Sequence, residues 1–83
     1  MHKTTERFWK CFDKLPKPIQ RKAQDQFELL RINPHHPSLH LKKVGRFWSA
    51  RISLAHRALA IKEDNDYTWV WIGTHEEYER MLQ

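Results

Sequence analysis

The chain has few of the sequence features that are typical of secreted or membrane-bound proteins. Cys11 is the one cysteine among 83 residues, so no internal disulfide can form and a reducing compartment is expected. No apolar run approaches the ~20 residues of a membrane span. Charged residues such as Lys3 and Arg7 interrupt any stretch that could act as a signal peptide. The sequence therefore predicts a soluble, cytoplasmic protein with no membrane partner.

Length and charge narrow the class of function. Eighty-three residues predict a single domain, spanning residues 1–83, that buries only about 60% of its unfolded surface. A shallow cleft is therefore expected rather than a deep cavity. Lysine and arginine number 15 against 10 aspartates and glutamates, a formal net charge of +5. This excess predicts attraction to a polyanion or an acidic partner, although a merely solubilising surface would have the same composition.

The first part of the chain has helical periodicity. Thr4 or Thr5 can cap a short helix, whose apolar stripe is Phe8, Phe12 and Leu15. Two prolines end this helix and suit the first turn of a second one. The apolar stripe of the second helix is Ile19, Ala23, Phe27 and Leu30. Helices joined by so few residues predict an antiparallel helix hairpin.

After the loop at residues 33–38 the apolar pattern changes from helical to alternating. Strands are predicted over residues 39–44, 47–54, 57–61 and 67–72. Alternation in the second strand directs Trp48, Ala50, Ile52 and Leu54 toward the helices, and Phe47, Ser49, Arg51 and Ser53 toward the opposite face. Trp69 and Trp71 are expected to share a face of the last strand. The sequence thus predicts an α+β fold, a helix hairpin on a small four-stranded antiparallel sheet with a short C-terminal helix.

Cationic side chains concentrate on and around the predicted sheet. Five of them lie between positions 42 and 57: Lys42, Lys43, Arg46, Arg51 and Arg57. Arg51 is expected to share the open face of the sheet with Phe47, so this face can bind a nucleic-acid strand through phosphate contacts and base stacking. The alternative is that Lys42 and Lys43 only protect an edge strand from pairing.

A histidine and a tyrosine follow the end of the last predicted strand. Loops on a rigid scaffold often carry chemistry, and the imidazole of His75 suits proton transfer near neutral pH. RNA cleavage by the adjacent 2′-hydroxyl needs a base, an acid and cations around the phosphate. His75 can supply the base or acid, Arg51 and Arg57 the charge, and Tyr78 a stacking or proton-donating group. Alternatively, His75 helps to cap the last helix, and Tyr78 packs on the sheet.

Metal chemistry is not expected in such a scheme. The histidines His35, His36, His40 and His56 have no cysteine or carboxylate at ligand spacing. The sequence predicts neither a metal site nor a cofactor.

The order of the elements, two helices and then four strands, resembles the RelE/ParE superfamily of toxins from bacterial type II toxin-antitoxin pairs. Four segments carry the resemblance: LPKPIQRKAQDQFELLRIN (15–33), HPSLHLKKVGRFWSARI (36–52), HRALAI (56–61) and WIGTHEEYERML (71–82). The resemblance implies a toxin neutralised by a cognate antitoxin. Nuclease members of this superfamily cut mRNA, usually on the ribosome, whereas ParE-like members inhibit DNA gyrase.

The resemblance also implies roles for individual residues. Arg51 lies on the strand where nuclease members have a lysine, histidine or arginine, and Arg57 falls where many have an arginine that contacts the scissile phosphate. His75 occupies the position of a catalytic arginine or histidine, and Tyr78 is similar to an aromatic residue that some members use for stacking or catalysis. His36, before a proline, is similar to a loop histidine of a subset. Ser49 stands where one nuclease branch has lysine.

The prediction is a metal-independent endoribonuclease that acts on mRNA with the ribosome. Its catalytic residues would be Arg51, Arg57, His75 and Tyr78, and its RNA-binding residues Lys42, Lys43, Arg46, Phe47 and His36. The antitoxin is expected to present an acidic segment that folds on binding. Two alternatives stay open: a non-enzymatic inhibitor of gyrase, and a degenerate member that only binds its antitoxin.

Overall fold

Three helices and five strands form the α+β fold of this chain, which the computed structural model describes over residues 2–82. In chain order the elements are β1 (His2–Thr4), α1 (Glu6–Asp13), α2 (Lys17–Ile32), a short 3₁₀ helix (Pro37–Leu39), β2 (Lys42–Val44), β3 (Phe47–Ser53), β4 (His56–Glu63), β5 (Asp66–Thr74) and α3 (His75–Met81). The predicted fold class is confirmed, as is the order of the two helices, four strands and short C-terminal helix, but β1 precedes them and was not predicted.

The two N-terminal helices begin where the threonine and proline signals predicted, although only α1 has a side-chain cap. Thr5 is the N-cap of α1, and its Oγ1 accepts a hydrogen bond from the amide of Phe8 at 3.1 Å, which satisfies one free N–H of the first turn. Pro16 precedes α2 and Pro18 lies in its first turn, where a missing N–H costs no hydrogen bond.

The sheet has one strand more than the sequence predicts. Its strand order is β1-β5-β4-β3-β2. β1 runs parallel to β5, whereas the other neighbouring pairs are antiparallel. The prediction of a four-stranded antiparallel sheet was therefore wrong in this detail. β1 comprises only His-Lys-Thr, which has no apolar alternation to indicate a strand.

The bounds of all four predicted strands also differ from the prediction, those of β4 and β5 by one or two residues at each end and those of β2 and β3 at one end each. β2 begins at Lys42 rather than at residue 39, because Leu39 belongs to the 3₁₀ helix and is buried there. β3 ends at Ser53, so Leu54 lies in the turn to β4 and is 81% exposed. Leu54 was expected to point toward the helices, and this expectation was wrong.

A β-bulge in β5 changes the face on which one tryptophan lies. Leu59 of β4 pairs with Trp71, but the next residue, Ala60, pairs with Trp69, which leaves Val70 as an extra residue. Trp69 packs in the core beneath the helices, whereas Trp71 packs with Leu59 on the other face. The expectation that Trp69 and Trp71 share a face was wrong, because a bulge breaks strict alternation.

Each face of the sheet carries a cluster of buried apolar residues. The larger cluster lies under α1 and α2, and its largest fully buried members are Trp69, Phe8, Leu30, Leu39, Ile52 and Ile72. The smaller one lies on the opposite face and consists of Leu59, Trp71 and Tyr78. α3 therefore covers part of the face predicted to be open. Among residues 2–82, none of the helices has the length and apolar character required to cross a bilayer.

Candidate functional site

A small pocket on the face of the sheet that carries α3 brings together the predicted catalytic residues. Its volume is about 90 Å³, and its lining is His40, Lys42, Ser49, Arg51, Arg57, His75 and Tyr78. The residues come from β2, β3, β4, α3 and, for His40, the end of the 3₁₀ helix. Lys42 and Ser49 are opposite each other in the β2-β3 pair, so strand pairing aligns one wall of the pocket.

Two arginines face each other at the centre of this pocket. Arg51 of β3 and Arg57 of β4 are directly opposite in the strand register, an arrangement that is unfavourable for like charges. None of the described residues that line the pocket is an aspartate or glutamate. Burial lowers the pKa of the Arg57 guanidinium, and the positive charge of Arg51 lowers it further. An anion bound here would remove this repulsion.

The two arginines differ in how firmly the protein holds them. Nη1 of Arg57 donates to the carbonyl oxygen of Ser53 at 2.7 Å and to that of His56 at 2.9 Å. Arg57 is therefore fixed against the β3-β4 turn. By contrast, Nη1 of Arg51 lies 3.4 Å from Nε2 of His40, a long contact for a hydrogen bond. Arg51 thus keeps donors that an incoming phosphate can use.

The first turn of α3 positions His75. Thr74 is the N-cap of this helix in a capping box: its Oγ1 accepts from the amide of Glu77, whose carboxylate accepts from the amide of Thr74. The amide of His75 also donates to the carbonyl of Ala55 at 2.7 Å. α3 therefore begins at a defined place beside the β3-β4 turn.

The imidazole of His75 is held between a carboxylate and a phenol ring. Its Nε2 lies 2.8 Å from Oε1 of Glu79, one helical turn later. The ring stacks on Tyr78 with centroids 5.7 Å apart, and its Nδ1 is buried with no hydrogen-bond partner among the described residues. A carboxylate at Nε2 favours a proton on that nitrogen, which leaves the lone pair on Nδ1.

Tyr78 both lines the pocket and packs on the sheet. Only 8% of its surface is exposed, and it belongs to the cluster with Leu59 and Trp71. Leu82, one turn later, packs against the same cluster. The predicted helical stripe is present, so packing alone would also account for a tyrosine here.

The predicted RNA-binding residues are distributed over several places. Lys42 lines the pocket, whereas Lys43 pairs with Trp48 on the helix-covered face. The guanidinium of Arg46 lies over the ring of Phe47, 5.2 Å from its centroid, and Phe47 packs against the second cluster. His36 caps the 3₁₀ helix, since its Nδ1 accepts from the amide of Ser38 at 3.2 Å. Of this set, the structure brings only Lys42 into the pocket.

Sequence reasoning did not include His40 and Ser49 in the site. His40 follows the 3₁₀ helix in a left-handed conformation, with a positive φ of 44°, so the alternation of an extended strand does not predict its direction. Ser49 is 2% exposed and follows the same alternation as Arg51. Among residues 2–82, no group of three or more histidine, cysteine, aspartate or glutamate residues could hold a metal ion.

Comparisons with known proteins agree with this architecture. A family model described as "ParE-like toxin domain" matches residues 17–80. The toxin-containing RelB-RelE complex from Methanococcus jannaschii superposes with a TM-score of 0.77 at 10% identity, covering 98% of this chain and 99% of that one. YafQ from E. coli has a TM-score of 0.70 at 15% identity, covering 94% and 96%. The YoeB/ParE toxin from Agrobacterium tumefaciens has a TM-score of 0.69 at 14% identity, covering 89% and 96%. No curated protein sequence matches.

Proposed function

Because the chain belongs to the ParE-like toxin family, within the superfamily that its sequence predicted, we propose that it is a toxin which cleaves mRNA and is neutralised by an antitoxin. The cleavage site would be the pocket around Arg51 and Arg57. Structural similarity at 10–17% identity reaches RelE, YafQ and YoeB toxins, but such similarity concerns the fold. Cleavage of RNA is therefore inferred from the residues of this chain.

The observation that supports cleavage most directly is the cation cluster without a counter-charge. Arg51 and Arg57 are opposite each other, Lys42 lies beside them, and no carboxylate lines the pocket. Repulsion between these cations does not stabilise the fold, whereas a bound phosphodiester would relieve it through charge-assisted hydrogen bonds. A volume of about 90 Å³ accommodates a phosphate group but not a whole nucleotide. The bases would therefore lie outside, on the surrounding surface.

The residues present fit cleavage by the 2′-hydroxyl of the RNA itself. The 2′-oxygen forms a bond to phosphorus while the bond from phosphorus to the 5′-oxygen breaks. One proton leaves the 2′-hydroxyl and another reaches the 5′-oxygen, and His75 would transfer one of them. Arg51 and Arg57 would stabilise the charge on the five-coordinate phosphorus. Tyr78 would hold the imidazole in place by stacking. The step requires no metal.

The proposed partners are an antitoxin, mRNA and the ribosome, all in the cytoplasm. Complexes of related folds with antitoxins, such as YoeB-YefM from Staphylococcus aureus, support the first partner. The chain has 15 lysine and arginine residues against 10 aspartates and glutamates. This excess of positive charge is consistent with binding to an acidic protein and to RNA.

The experiment that tests cleavage uses a reconstituted translation reaction in which new 5′ ends on the mRNA are mapped. Wild-type protein should produce ends within codons at the ribosomal A site. Arg51→Gln and His75→Asn should reduce cleavage by about 10² or more, the usual effect of losing a charge-stabilising donor or a proton-transfer group. Arg21→Gln, which removes an exposed arginine of α2, is the matched control and should retain full activity. Equal loss in all three variants would contradict the proposed site.

Gyrase inhibition is the second candidate, and the ParE-like family match favours it. Under this alternative, the His75→Asn protein still stops growth and inhibits supercoiling by purified gyrase. A degenerate member that retains only antitoxin binding would inhibit neither growth nor gyrase and would cut no RNA.

A further inference from the structure

α3 carries three carboxylates, and each of them has a different environment. Glu77 belongs to the capping box with Thr74, and Glu76 is exposed in the first turn. Glu79, by contrast, lies one helical turn after His75, and its Oε1 is 2.8 Å from Nε2 of that histidine. Glu79 is not one of the described residues that line the arginine pocket. Any effect of Glu79 on the chemistry of this pocket must therefore act through His75.

The contact with Glu79 determines which ring nitrogen of His75 carries hydrogen. An ionised carboxylate only accepts hydrogen bonds, whereas an imidazole nitrogen donates or accepts according to the tautomer of the ring. A distance of 2.8 Å is typical of a charge-assisted hydrogen bond. The geometry therefore assigns a hydrogen to Nε2, which donates to Glu79. In the neutral ring the lone pair then belongs to Nδ1.

Nδ1 of His75 is itself in an unusual environment. This nitrogen is buried and has no hydrogen-bond partner among the described residues, although a buried acceptor without a partner costs free energy. The ring stacks on Tyr78 at an interplanar angle of 24°, and the backbone amide of His75 is bonded to the carbonyl of Ala55, so the ring has little freedom to find a partner elsewhere. A hydroxyl group of a ligand in the pocket, which His75 lines, can supply the missing donor.

We propose that Glu79 is a positioning residue for the cleavage reaction: it keeps hydrogen on Nε2 of His75, so that Nδ1 is the nitrogen that takes the proton of the 2′-hydroxyl. This inference rests on the proposed function, because it assigns a role within that reaction. The 2′-oxygen loses its proton to Nδ1 and bonds to phosphorus, the bond from phosphorus to the 5′-oxygen breaks, and the 5′-oxygen takes a proton from water. The imidazolium then returns its proton to the solvent. Glu79 stays ionised throughout and offsets the positive charge that His75 gains.

A simple ion pair on the helix surface is the alternative explanation for Glu79. Residues four apart on a helix are neighbours, and the side chains of Glu79 and His75 are 61% and 39% exposed. Exposed pairs of this kind contribute little to stability. A surface pair does not explain why the opposite nitrogen of the ring is buried without a partner. The two explanations predict the same small effect on stability but different effects on the cleavage rate.

Two matched variants separate these explanations. Glu79→Gln and Glu76→Gln remove the same charge from the same helix, so both change the general attraction for RNA to a similar degree. Glutamine offers an oxygen and an NH₂ group, so it no longer selects one tautomer of the histidine. In single-turnover cleavage on programmed ribosomes with saturating toxin, Glu79→Gln should lower the rate about 10- to 100-fold, a part of the contribution of a proton-transfer group. Glu76→Gln should keep the wild-type rate.

A conservative variant and thermal unfolding complete the kinetic test. Glu79→Asp keeps the negative charge on a side chain that is shorter by one methylene group, so its cleavage rate should lie between those of wild type and Glu79→Gln. Thermal unfolding should place all three variants close to wild type, because an exposed pair contributes little to stability.

A measurement without RNA tests the tautomer itself. Heteronuclear NMR distinguishes protonated from unprotonated ring nitrogens, and the spectrum of His75→Asn identifies the signals of His75. At about pH 8.5, where histidines are ordinarily neutral, the wild-type ring should carry hydrogen on Nε2, and Glu79→Gln should show a mixture of tautomers. A wild-type ring protonated on Nδ1, or equal cleavage rates for Glu79→Gln and Glu76→Gln, would overturn the inference alone. If wild-type protein cuts no RNA, the proposed function fails and the role of Glu79 fails with it.

Discussion

Replacing Arg51 with glutamine should stabilise the protein while it removes RNA cleavage. The guanidinium of Arg51 lies opposite that of Arg57 in the strand register, and its one described polar side-chain contact is the 3.4 Å approach to His40. Glutamine removes the positive charge and loses little else. A residue that destabilises the fold and is nevertheless present is the expected sign of a binding site.

The size of the effect follows from the pairing geometry. Directly opposite like charges in a sheet cost roughly 0.2–1 kcal/mol, so Arg51→Gln should raise the free energy of unfolding by about 0.5 kcal/mol. In a domain of this size this corresponds to an increase of about 2–4 °C in Tm. Arg57→Gln relieves the same repulsion but loses hydrogen bonds to Ser53 and His56 at 2.7 and 2.9 Å. Charge-assisted bonds of this kind contribute about 1.5–3 kcal/mol each, so the loss of two exceeds the relieved repulsion, and this variant should be less stable than wild type by about 2 kcal/mol or more.

Urea denaturation of wild type, Arg51→Gln, Arg57→Gln and the control Arg21→Gln, at an exposed position of α2, measures these differences. The stabilisation by Arg51→Gln should vanish near 1 M salt, where the Debye length falls to about 3 Å. If Arg51→Gln destabilises the protein as much as Arg57→Gln does, the argument that repulsion is retained for function is wrong. A stabilisation that persists at high salt would also refute it, because the cause would not be electrostatic.

Three further predictions concern α3, β5 and β1. Thr74→Ala removes the capping box, which should cost about 1 kcal/mol and increase hydrogen exchange in α3 first. Gly73→Ala would place a Cβ 2.4 Å from Cζ2 of the packed Trp71, so its thermal midpoint should fall well below that of wild type. Burial lowers the pKa of the His2 imidazole in the folded protein, and Nδ1 of His2 accepts a hydrogen bond from the Trp69 indole at 3.1 Å. The unfolded chain therefore binds a proton at His2 more tightly than the folded protein does. Stability should be complete above about pH 6.5 and decrease as the pH falls toward the folded pKa of His2, with a shallower decrease in His2→Gln.

Local patterns in the sequence were sufficient to predict the first two helices and the face of the sheet on which Arg51 lies. Thr5 and the prolines before and within α2 act at the backbone positions where they stand, so their effect does not depend on the rest of the fold. Alternation in β3 likewise predicted the face of Arg51 correctly, because β3 is regular from Phe47 to Arg51. The helix starts and the face of Arg51 therefore follow from helix capping and hydrophobic periodicity alone.

The features that the sequence did not reveal depend on contacts between distant segments. β1 is a strand because β5 offers an unpaired edge, and its own three residues carry no apolar signal. Lys42 and Lys43 look equivalent in sequence, but pairing with β3 sends one to the arginine pocket and the other to the helix-covered face. His40 enters the site through a left-handed backbone conformation that alternation cannot predict.

The bulge at Val70 connects the core to the site. If β5 were regular here, with Val70 paired in the ladder, strict alternation would direct Trp71 to the same side as Trp69, and the face beneath α3 would lose its largest buried side chain. Tyr78 packs on that tryptophan, and the ring of His75 stacks on Tyr78. The bulge thus determines where α3 docks, and through Tyr78 it determines how far the imidazole lies from Arg57. An irregularity in strand register, rather than a motif in the sequence, therefore assembles the two halves of the pocket.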